Sequence, residues 1–132
     1  MSRAKNLANF QTTITDGTTS VATSFVTNGS ARVWINFNGT GTIATRDSHG
    51  VSSLTDKGTG EYNVNFGNNM SDGNYAGLST GDGTGVANVV CLNASSARSN
   101  TTAASGYGIA TTKSAGNADL SVIYLAVHGN LA

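Results

Sequence analysis

Two short runs set the frame for this chain. Val33, Ile35 and Phe37 alternate with Arg32, Trp34, Asn36 and Asn38, and Tyr62, Val64 and Phe66 alternate with Glu61, Asn63 and Asn65. A period of two gives each run one apolar and one polar face, as in a half-buried antiparallel strand. Four strand-like runs fall between positions 31 and 66, and their spacing predicts a β-meander. Asn38-Gly39 suits the positive φ angles of a tight hairpin, so the runs on either side of it are expected to pair directly. His49-Gly50 and residues 57–60 supply the next two turns.

The pattern continues on both sides. Upstream, residues 10–15 and 21–27 read as short strands separated by Asp16-Gly17, and only 2–10 suits a short helix. Downstream, Asp72-Gly73 precedes a strand over 74–80 and a glycine-rich loop over 81–85. Further strands are expected at 86–92, 107–112 and 120–128, joined by loops over 93–105 and 113–117. The chain contains no proline, Thr and Val suit a pleated surface, and Gly and Asn supply turns. The predicted fold is all-β: an antiparallel β-sandwich or jelly roll of about eight strands over 31–132, preceded by an N-terminal arm over 1–30.

The last run is apolar on both faces. Leu120, Val122, Tyr124 and Ala126 share one face, and Ile123, Leu125 and Val127 share the other. A strand of this kind lies between two layers, or between a core and a neighbouring subunit. Tyr124, Leu125 and Val127 are therefore the candidate oligomer-interface residues. With few charges to guard its sheet edges, self-association is expected.

Composition narrows the possible partners. At 132 residues the chain suits one core, and its charged fraction of 11% is low, with Ser, Thr and Asn making up the polar surface. Seven basic residues balance seven acidic ones without a basic cluster, so nucleic-acid binding is not expected. No apolar run approaches the roughly 20 residues of a membrane span, and the first residues lack the apolar centre of a signal peptide. The lone Cys91 sits in an apolar run, is expected to be buried, and fits folding in a reducing cytoplasm. Five Asn-x-Ser/Thr triplets, at Asn28, Asn38, Asn69, Asn93 and Asn100, follow from composition and not from export.

Candidate chemistry is sparse. Asp47, Ser48 and His49 include the residue types of a hydrolase triad, but successive strand residues point to opposite faces, so no catalytic site is expected. Two scattered histidines and one cysteine do not form a zinc site. Asp72, Asn74 and Asp82 lie in glycine-rich turns without the spacing of a calcium loop. The 81–85 loop lacks the lysine and helix of a phosphate-binding loop, so no metal or cofactor is expected. Asp16, Asp56, Asp72 and Asp82 sit in predicted turns rather than across a cleft, which disfavours glycoside hydrolysis. The candidate binding residues are two aromatics. Trp34 projects from the polar face of its strand, and either stacks on a sugar or is buried under a second sheet or subunit, burial being the preferred reading. Tyr107, between Gly106 and Gly108, is the second sugar-stacking candidate, with a strand-end tyrosine preferred.

The wording of the middle third resembles a module of tail-fibre-like and appendage proteins from tailed bacteriophages, marine and cyanobacterial ones especially. The matching positions are Trp34, Asn36–Thr42, Arg46–Ser48, Val51–Asp56, Gly58–Gly60, Tyr62, Val64–Phe66 and the stretch from Met70 to Tyr75, and residues 2–8 resemble the start of several such proteins. The resemblance implies a homotrimeric virion protein, assembled in the host cytoplasm, that contacts other virion proteins and a host surface glycan or receptor. A fibre-like or receptor-binding role is the first expectation, with capsid decoration as the alternative and a glycan-binding module as the third.

Overall fold

The computed structural model describes residues 13–16, 18–82, 89–92, 106–113 and 116–132. Met1–Ser30 and Ala31–Ala132 form separate compact units.

In the first unit, β1 (Thr13–Asp16) pairs antiparallel with β2 (Thr19–Ala22), and α1 (Thr23–Gly29) follows at once. The predicted strand over 21–27 therefore ends at Ala22. The adjacent apolar pair Phe25-Val26 breaks the period of two, and hydroxyls supply local bonds that suit helical turns. Thr27 Oγ1 donates to the Ser24 carbonyl at 3.3 Å, and the Ser30 N–H donates to the Val26 carbonyl at 3.1 Å. No residue of α1 is buried. The expected helix over 2–10 and the expected loop over 93–105 lie outside the described residues, and of the expected loop over 81–85 the first two residues belong to the strand Ala76–Asp82 while 83–85 lie outside the described residues.

The second unit is built on antiparallel sheets. One has the order β4-β3-β11-β7, from β3 (Val33–Asn38), β4 (Ala44–His49), β7 (Ala76–Asp82) and β11 (Val122–His128). The other has the order β10-β9-β6-β5, with β8 also on β9, from β5 (Val51–Gly58), β6 (Glu61–Phe66), β8 (Val89–Leu92), β9 (Gly106–Lys113) and β10 (Gly116–Asn117). The four runs of 31–66 all form strands, but they do not make a meander. β3–β4 lies in one sheet and β5–β6 in the other. Side by side, the two hairpins would leave both apolar faces uncovered; on opposing sheets, each covers the other.

Gly50 is the hinge of that change. Its φ of +68° lies in the left-handed region, and a Cβ there would stand 2.5 Å from the Arg32 carbonyl oxygen. Val33, Ile35 and Phe37 from β3, Ile123, Leu125 and Val127 from β11, and Tyr62, Val64 and Phe66 from β6 then share one core with Met70, Tyr107 and Leu120. Phe37 and Tyr62 meet edge to face across it at 5.2 Å.

The Asn38-Gly39 pair does not form the expected tight turn. The hairpin loop runs over 39–43, and its positive φ falls on Gly41. Gly39 is small for another reason: a Cβ would lie 2.5 Å from the Tyr62 hydroxyl, which reaches the Gly39 carbonyl at 2.9 Å. The same hydroxyl lies 2.8 Å from Asp119 Oδ1, which also accepts the Gly60 N–H at 2.7 Å. Burial, and then the Asp119 carboxylate, push the Tyr62 pKa well above its ordinary value.

Candidate binding site

The outer face of the β4-β3-β11-β7 sheet carries the largest exposed aromatic side chains of this unit. Register places them in two rows. Across the sheet run His49, Trp34, Ala126 and Leu78, and one step along run Asp47, Asn36, Tyr124 and Thr80. Rows two residues apart are about 7 Å apart, and strands are about 4.8 Å apart. Trp34 and Leu78 thus flank Ala126, whose methyl group leaves a floor between two tall walls. The result is a trough of about 590 Å³ that also takes in Asn36, Asp47, Thr80 and Tyr124.

Trp34 is 37% exposed, Tyr124 45% and Leu78 62%. Trp34 is thus not buried under the second sheet of its own chain. Parity sets this outcome, because Val33 and Ile35 take the inward positions of β3. His49 stacks beside the indole, with ring centroids 6.5 Å apart and planes 19° from parallel. A β-bulge makes Arg46 an extra residue between Thr45 and Asp47 on β4. Its guanidinium donates to the Phe37 carbonyl at 3.0 Å, to Asn36 Oδ1 at 3.3 Å, and to the Ser121 carbonyl just before β11. The bulge turns a charged residue into a latch along the end of the trough.

The other expected site residues lie elsewhere. Tyr107 is 3% exposed, so its ring belongs to the core and offers no stacking surface; it packs on Tyr75 at 6.1 Å. Leu125 and Val127 face the same core and are buried within the chain. Of that trio, Tyr124 alone points outward. A central strand of a sheet whose inner face is covered buries one parity only, and here that parity is 123, 125 and 127.

Ser48 stands opposite Ile35 and His49 opposite Trp34, so the two side chains occupy opposite faces of β4. Asp47 Oδ1 accepts the Ser48 N–H at 2.8 Å. Asp72 Oδ1 accepts the Asn74 N–H at 2.7 Å, and thereby closes a turn. Among the described residues, no group of three or more His, Cys, Asp or Glu side chains is placed to hold a metal ion. Cys91 falls on β8, and its side chain lies outside the described residues.

Sequence reasoning did not find Leu78, Ala126, Asn36, Asp47 and Thr80 as parts of one site. The pairing of Tyr124 with Ala126 on one face was visible, but the neighbours of β11 were not. No protein-family model, curated protein or solved structure matches this chain.

Proposed function

We propose that this chain is a non-catalytic structural protein of a bacteriophage particle, exposed at its surface in a fibre-like or receptor-binding role. The observation that carries the contact role is the trough: a sheet whose two central strands bury Val33, Ile35, Phe37, Ile123, Leu125 and Val127 keeps Trp34, Tyr124 and Leu78 on its outer face. A polar surface would serve solubility alone. The wording of residues 34–66 supports the phage assignment. On this reading the two facing sheets are a β-sandwich of jelly-roll kind, and the working form is a homotrimer with the trough outermost. Antibody labelling of intact particles tests the role, the expected result being labelling confined to the tail or appendages at few copies per particle.

Capsid decoration is the second reading, favoured by the first unit. Its α1 buries nothing, and Phe25 is 75% exposed, which suits an arm that reaches a neighbouring subunit. Labelling spread evenly over the shell, at hundreds of copies, would establish that reading in place of the first.

A further inference from the structure

We propose that the trough binds a neutral pyranose ring of a glycan, with Trp34 as the stacking surface. This rests on the reading of the outer face as a contact surface. Size is the first argument. A volume of about 590 Å³ lies within the roughly 300–1,000 Å³ of small-ligand sites.

The second argument is the order of the rows. A pyranose presents an apolar C–H face and a rim of hydroxyls. The trough presents a flat indole and an alanine floor in one row, and Asp47, Asn36, the Tyr124 phenol and Thr80 in the next. Asn36 Oδ1 is occupied by Arg46, so its amide offers donors outward. Asp47 Oδ1 is occupied by the Ser48 N–H, so Oδ2 offers acceptance. Charge supplies the third argument. Asp47 is the one charged residue lining the trough, and the guanidinium of the neighbouring Arg46 is held against the Phe37 and Ser121 carbonyls and Asn36 Oδ1. A sugar carboxylate would therefore meet a like charge, which selects a neutral ring.

Trp34 is the single tryptophan of the chain, so its emission reports this site directly. The purified 132-residue chain is titrated with the methyl glycosides of glucose, galactose and mannose, and with glucuronic acid, while tryptophan emission is followed. The expected result is a saturable shift with at least one neutral glycoside, at least tenfold weaker binding of the acid, and a loss of about tenfold in Tyr124→Ala with an unchanged melting curve. Silence with every neutral glycoside, equal response to the acid, or indifference to Tyr124→Ala would overturn the proposal. Acrylamide quenching in the same samples separates the two levels. A silent titration with a quenchable Trp34 overturns the sugar alone, whereas a shielded Trp34 also ends the reading of the face as an outward contact surface.

Discussion

Replacing Tyr62 with Phe removes one oxygen from the junction that ties the two sheets together. The ring is fully buried and keeps its edge-to-face contact with Phe37 at 5.2 Å, so packing is preserved. What disappears is the hydroxyl between the Gly39 carbonyl at 2.9 Å and Asp119 Oδ1 at 2.8 Å. Asp119 Oδ1 retains the Gly60 N–H, and what is lost is the one hydroxyl proton shared between Asp119 Oδ1 and the Gly39 carbonyl. A hydrogen bond to a charged acceptor contributes about 1.5–3 kcal/mol, so a loss of about 2 kcal/mol is expected. Urea unfolding followed by tyrosine and tryptophan fluorescence reads it. With a slope of about 1.5 kcal/mol/M, the midpoint falls by about 1.3 M at unchanged slope.

An alkaline arm checks the same chemistry independently. The Tyr62 pKa is raised in the fold above the ordinary value of 10.0. Its contribution is therefore fully present below pH 10.0 and lost as pH rises above that value, where the unfolded chain releases a proton that the folded one retains. The wild type should lose up to about 1.4 kcal/mol per pH unit there that Tyr62→Phe does not. A midpoint shift under about 0.3 M, or identical alkaline profiles, would refute the reasoning.

Gly50→Ala places a side chain at φ +68° against the Arg32 carbonyl. A destabilisation above about 2 kcal/mol is expected, combining left-handed strain with a backbone clash, and thermal melting reads it. Arg46→Ala removes the latch on Phe37 and Ser121 but exposes no core, so a loss of about 1 kcal/mol is expected in the same assay. Leu78→Ala on the open outer face should change the melting temperature little, since the side chain is already 62% exposed.

The inward side chains were legible because alternation is local. Residues 33, 35 and 37, and again 62, 64 and 66, announce which side of each strand is buried, and all six are. The all-β class followed from the same repetition. What alternation cannot specify is the partner of each face. β11 lies between β3 and β7, strands far away in the chain, and that insertion alone brings Ala126 between Trp34 and Leu78. The positive φ at Gly50 sends β5 to the other sheet, and a turn signal at His49-Gly50 does not say which way the chain goes. Asn38-Gly39 fits a hairpin formula, yet the glycine is needed for the close approach of Tyr62 from a distant strand. Arg46 looked like an ordinary strand residue, and only the register shift opposite Asn36 and Phe37 exposes it as a bulge. In residues 23–29, hydroxyl-to-carbonyl bonds compete with extended structure over a few residues, a balance that apolar periodicity does not record.

The central claim is that the sheets cover each other and leave the Trp34 face open in the working assembly. Acrylamide quenching of the single tryptophan, measured on the purified protein after its mass in solution is known, tests this most directly. The account predicts ready quenching of Trp34 in whatever assembly forms. Emission shielded in the assembly and exposed on dissociation would contradict it, and would make the trough an interface between copies of the chain.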